Sequence, residues 1–191
     1  MTGAFGLEAG WLEGDILLNT DSEQEGEVYM GCAGGIDGEM TFNITREAQP
    51  AGYVTRKLIL KGLKGGHSGC DIHTGRANAN KLLARFLAGH AQELDLRVVE
   101  FKGGSLRNAI PREGFVTVAV PSENQEKLAS LYSFYTELLS TELGKIEDSI
   151  ETFNEEATVE LGVLAQADQA RFIAALNACP NGVIRMSDEI E

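Results

Sequence analysis

Apolar and polar residues alternate along this chain with two different periods, and the points where the period changes mark its elements. In residues 53–60 Val54, Leu58 and Leu60 share a face with Arg56, which predicts a strand. From Arg76 to Ala88 the spacing lengthens, and Ala79, Leu82, Leu83, Phe86 and Leu87 form one helical stripe, with Gly89 placed to stop it. In "LDLRVVEFK" Leu94, Leu96 and Val98 alternate with Asp95, Arg97 and Val99, predicting a second strand. After a "GGS" turn, "GFVTVAVP" predicts a third, ended by Pro121. Ser122 and Gln125 have the spacing of a capping box ahead of a long helix through Leu128, Leu131, Tyr132, Tyr135, Leu138 and Leu139, ending near Gly144. "ATVELGVL" predicts another strand, Gln166 to Ala178 a third helix halted by Pro180, and "GVIRM" a last strand.

The central order is strand, helix, strand, strand, helix, strand. That is the split βαβ pattern of the ferredoxin-like α+β class, a two-layer sandwich with an antiparallel sheet and helices on one face. Residues 1–35 differ in texture. The run Ile16, Leu17, Leu18 lies between glycine and acidic residues, as in a strand buried on both faces of a parallel sheet, and a short strand is expected at Val28–Cys32. Another is expected at Met40–Arg46. One or two such strands do not make a stable sheet alone, so the first 35 residues either join the neighbouring sheet or belong to another domain.

Composition narrows the partners. With 191 residues and 43% hydrophobic content the chain can bury a core without staples. Asp and Glu outnumber Lys and Arg by 29 to 16, so a phosphate backbone is repelled and nucleic acid is not an expected partner. Cys32, Cys70 and Cys179 are odd in number and unpatterned, as expected of reduced thiols in the cytoplasm. No apolar run approaches the roughly 18 residues of a membrane span, and the N-terminus lacks the basic start of a signal peptide.

Three places carry candidate chemistry. "LKGLKGGHSGCDIHTGR", residues 60–76, holds His67, Cys70 and His73 among glycines. Imidazole and thiolate suit zinc, but a closed site needs about four donors and no second cluster supplies the rest. The alternatives are a loop in which Gly65, Gly66 and Gly69 let the backbone present His67 to a ligand, and a plain turn with solvated histidines. Asp21, just past an apolar run expected to be buried, stands where open α/β sheets place ligand-binding groups, or is a solvated loop carboxylate or turn cap beside the acidic run Glu23, Glu25, Glu27. Asn108, in "GGSLRNAIPRE", occupies a turn held by Pro111; its amide can serve a ligand or simply the turn. His90, at a helix end, is expected to be structural.

Taken in order, "MTGAFGLEAGWLEGDILLNTDSEQEGE", "GLKGGHSGCDIHTGRANANKLLARFL" and "GGSLRNAIPRE" resemble the aminoacyl-histidine (Xaa-His, cytosol non-specific) dipeptidases of the carnosinase and aminoacylase metallopeptidase superfamily. The resemblance implies a catalytic α/β domain with two Zn2+ ions and an inserted lid domain of ferredoxin-like type that mediates homodimer contacts. By motif, Asp21 is implied as a zinc-ligating carboxylate, His67 as a lid histidine acting on the substrate oxyanion, in the partner subunit's site, and Asn108 as a substrate-binding residue. Cys70 and His73 receive no role.

On that footing residues 1–35 correspond to the end of a first catalytic segment, 36–183 to the lid and 184–191 to the return to the catalytic domain. The remaining metal ligands and the general base cannot be placed, so the expectation is an inactive fragment, without tightly bound zinc, of a cytoplasmic enzyme acting on dipeptides. A stand-alone ferredoxin-like dimerisation or small-metabolite-binding module is the rival; it requires residues 1–35 to be integral strands of the sheet.

Overall fold

The computed structural model describes residues 6–11, 13–16, 18, 25–29, 31 and 34–185. Its centre is a four-stranded antiparallel sheet built from β2 (Tyr53–Lys61), β4 (Arg97–Gly103), β6 (Gly114–Pro121) and β7 (Glu151–Glu156), in the spatial order β4-β6-β2-β7. With helices α1 (Ala79–His90) and α2 (Gln125–Leu143) in the two crossovers, this is the ferredoxin-like arrangement. β2 and β6 are zipped from Tyr53↔Pro121 to Leu60↔Gly114. Both helices lie on one face, because Leu58 and Leu60 of β2, Val116, Val118 and Val120 of β6, Leu83, Phe86 and Leu87 of α1, and Leu128, Tyr132 and Leu139 of α2 form one buried cluster. Each such side chain removed from water contributes roughly 1.5–3 kcal/mol, and period-2 and period-3.6 stripes meet only in this layering.

α1 starts where Asn78 caps it, its side chain accepting from the backbone N–H groups of Asn80 at 3.0 Å and Lys81 at 3.3 Å. The helix passes through Gly89 rather than stopping there. The turn comes later, where Asp95 takes a positive φ of 47° between buried Leu94 and Leu96. α3 (Gln166–Ala178) packs beside α1, and Lys81 Nζ donates to the carbonyls of Leu176, Asn177 and Cys179 at 2.9, 2.7 and 2.6 Å, meeting the negative end of that helix. Gln169 of α3 lies against the outer edge of β4. Its Oε1 accepts from Val98 N–H at 2.6 Å and its Nε2 donates to Leu96 C=O at 2.7 Å, so a side chain takes the place of a neighbouring strand.

Several expected elements differ. The strand foreseen at 157–164 shrinks to β8 (Val163–Leu164), which pairs with β1 (Arg46–Glu47), because Gly162 at φ 73° lies so close to Glu47 C=O that the run breaks there. The edge strand of the main sheet is instead the polar "ETFNEE" of β7, whose acids meet cations of β2: Lys61–Glu151 at 3.5 Å and Arg56–Glu156 at 3.8 Å. Met40–Arg46 is strand only at its last residue, and Phe42 and Ile44 are exposed. The capping box does not form; α2 is entered through a 3-10 turn at Ser122–Asn124, and Asn124 turns its amide to Leu94 C=O instead.

Ile16 and Leu18 are exposed, as is Val28, and none of the three is in a strand. "GVIRM" is no strand over 182–185, and Ile184 is 82% exposed. In each case a short apolar run has no neighbouring strand among the described residues to satisfy its backbone, and burial belongs to the sheet rather than to the run. By contacts the chain divides into residues 1–39 and 40–191, and every strand and helix described here lies in the second unit.

Candidate functional site

The glycine-rich segment leaves β2 at Gly62, where φ is 85° and a Cβ would strike Ser149 C=O at 2.0 Å. It then enters a two-stranded ribbon, β3 (Gly66–His67) against β5 (Ala109–Ile110), with His67 opposite Ala109. Ser68 N–H donates to the C=O of Asn108 at 2.9 Å. The ribbon therefore holds His67 and Asn108, 41 positions apart by their numbers (108 − 67), beside each other with both side chains exposed. Asp21 lies outside the described residues.

Two of the glycines are demanded by the packing. Gly66 has φ 142°, and a Cβ there would fall 2.4 Å from Arg76 Nη1 and 2.7 Å from Asp71 Oδ2. That space is taken by an ion pair, Arg76 to Asp71 at 3.0 Å, with Arg76 also donating to Gly65 C=O at 2.7 Å and Asp71 accepting from His67 N–H at 2.7 Å. A Cβ on Gly69 would press on the His67 ring at 3.2 Å. The imidazole lies against this backbone because its Nδ1 accepts from the N–H groups of Gly69 at 3.0 Å and Cys70 at 3.1 Å. An acceptor Nδ1 places the ring proton on Nε2, the outer nitrogen.

That geometry bears on the zinc reading of the loop. Nδ1 is occupied by backbone donors, and among the described residues no three of His, Cys, Asp and Glu gather to hold a metal ion. The donor set here does not fit a zinc ion. Cys70 and His73 are exposed on the 3-10 turn side of the loop. His90 pairs with Glu93 at 2.5 Å and rests on Phe86, ring centroids 4.8 Å apart.

Beside the ribbon opens a cleft of about 590 Å³, walled by Gly65, Gly66, Gly103 and Gly104 and bearing Lys64, Lys102 and Arg112 against one acid, Glu113. In a chain of net charge −13 this is a local excess of cations. Behind the loop, buried Glu147 accepts from Lys64 N–H at 2.7 Å through Oε2 and from Ala77 N–H at 2.8 Å through Oε1. Sequence reasoning missed Glu147, Asp71 and Arg76. Asp71 and Arg76 stand at a spacing that suits a pair across a turn, whereas Glu147 is 70 positions from Ala77 and carries no local signal.

Residues 58–147 match the model of the peptidase dimerisation domain family. The chain carries a peptidase dimerisation domain. Over 188 residues, 98% of its length, it is 56% identical to the cytosol non-specific dipeptidase of Escherichia coli (strain K12), and it covers 39% of that relative. The crystal structure of the aminoacylhistidine dipeptidase from Vibrio alginolyticus matches it at 81% identity with a TM-score of 0.88, over all of this chain and 39% of that one. The chain thus spans about two fifths of the length of these relatives. The residues that match the family lie within the ferredoxin-like unit described above.

Proposed function

We propose that this chain is the lid of a dipeptidase that hydrolyses Xaa-His and other unblocked dipeptides, and that His67 donates a hydrogen bond to the oxyanion formed at the scissile carbonyl. The observation that carries the reading is the capture of His67 Nδ1 by the Gly69 and Cys70 N–H groups, which makes exposed Nε2–H the donor. A donor set in place before reaction costs no reorganisation as negative charge develops, and one such donor contributes a few kcal/mol to the transition state. Asn108, on the adjoining strand end, offers a carboxamide that can both donate to and accept from the substrate.

The same reading assigns residues 1–35 and 184–191 to the catalytic domain and 36–183 to the lid. It makes the enzyme cytoplasmic, as the E. coli relative's name says of that protein. Among the described residues no helix is long and apolar enough to cross a membrane. The family relation supports a homodimer formed through the lid, with His67 acting in the partner's site. Two Zn2+ ions, when bound, would acidify the attacking water; of this chain's residues only Asp21 is assigned to them.

The test is His67→Ala in a full-length dipeptidase containing this sequence, assayed on β-alanyl-histidine. The expected outcome is a fall in kcat of about 10²-fold. An unchanged kcat would return His67 to a solvated turn.

A further inference from the structure

Among the described residues, Glu147 is the buried acid whose side-chain hydrogen bonds both go to the His67 loop. It is 2% exposed, follows the end of α2, and its two carboxylate oxygens are divided between the two ends of a single segment: Lys64 N–H at 2.7 Å, where the loop departs, and Ala77 N–H at 2.8 Å, where it returns. Leu63 N–H, one residue earlier, donates to Arg112 C=O at 3.3 Å, and Ala79 N–H, two residues later, donates to Pro111 C=O at 2.9 Å. The base of the loop is thereby tied to Pro111 and Arg112, just past β5, in the segment that carries Asn108. A buried carboxylate needs its lone pairs satisfied, and these amides satisfy them with charge-assisted bonds.

We propose that Glu147 is a positioning residue for His67. It closes residues 64–77 into a loop of one width, within which the Asp71–Arg76 pair and the Gly69 and Cys70 amides hold the imidazole. The proposal rests on the reading of His67 as a substrate-facing donor, but the closure of the loop can be tested without it. Glu147 meets the cleft lining at the backbone N–H of Lys64 and has no hydrogen bond with His67. Its effect passes through backbone width alone.

Glu147→Gln is the informative change, because a carboxamide offers one oxygen and turns N–H hydrogens toward the second amide. The expected result is exchange at the Gly69 and Cys70 amides faster by about tenfold or more, with the Leu83 and Val118 amides of the core unchanged. The imidazole nitrogen resonances of His67 should lose the Nε2–H tautomer pattern. In the full-length enzyme kcat should fall about tenfold while KM stays within about twofold.

Unchanged exchange at Gly69 and Cys70, with an unchanged imidazole spectrum, overturns the proposal. A loosened loop with an unchanged kcat would leave the clamp standing and sink both the oxyanion reading and any part for Glu147 in the reaction. Should the variant not fold, the unmodified chain decides: Lys64 and Ala77 amides that exchange as fast as open loop overturn the clamp, and slow exchange at both supports it.

Discussion

At the scale of single residues, the visible signals were those in which chemistry and local sequence coincide. His67 and Asn108 stand out because glycines and a proline surround them, and the structure sets them on adjoining strand ends. Glu147 looks like any surface acid in sequence; only the fold shows that its two oxygens span the loop. Asp95 is similar. It occupies a left-handed position after α1, and its carboxylate accepts from Tyr53 O–H at 2.5 Å. That hydrogen bond first, and then burial, pushes the Tyr53 phenol up to about 12. The folded value lies above the unfolded one of about 10. The stabilisation is therefore fully present below about pH 10 and is lost as pH rises through about 12. Asp95→Asn keeps a residue that tolerates positive φ while removing the charge. In an ultraviolet titration, one phenol should then ionise nearer the ordinary tyrosine range than in the parent chain. Identical titration curves would show that Asp95 does not set the Tyr53 value.

At the scale of elements, helices were legible and strands only where they are central. α3 is found at its expected bounds, Gln166–Ala178, and the α1 stripe is buried at all five positions that the periodicity singled out. β2 and β6 are flanked on both sides, so their apolar content announces them. β7 is an edge strand whose residues are chosen for solvent and for cross-strand charge, and its "ETFNEE" carries no alternating apolar signal. The opposite edge is protected differently, by Gln169 bonding both Val98 N–H and Leu96 C=O from a helix. Gln169→Leu keeps the approximate volume and leaves both backbone groups buried without partners. Each costs about 1–3 kcal/mol, so the urea midpoint should fall by an amount equivalent to about 3 kcal/mol with little change in slope. A loss under about 1 kcal/mol would mean that water replaces the side chain at that edge.

At the scale of the whole molecule, the described core is narrower than the chain. Among the described residues, every member of the main buried cluster and of those packed against it lies between Val54 and Ile173, so the described core falls after residue 40. The apolar run at residues 16–18 has the pattern of a buried strand, yet its described members are exposed, because a strand's burial depends on neighbours that its own residues do not encode. The lid assignment leads to a definite expectation for residues 40–191 alone. They should unfold in one transition, with a Tm within about 4 °C of the 191-residue chain, since they retain every described member of the core cluster. If the dimerisation domain also associates by itself, that Tm should rise with protein concentration, because a dimer gains stability by mass action, and the sedimentation mass should be twice that of the monomer. A cooperative but concentration-independent transition at monomer mass would confine dimer formation to contacts outside this unit. A broad, early transition would instead mean that residues 1–39 stabilise the sheet, which is what the stand-alone module requires.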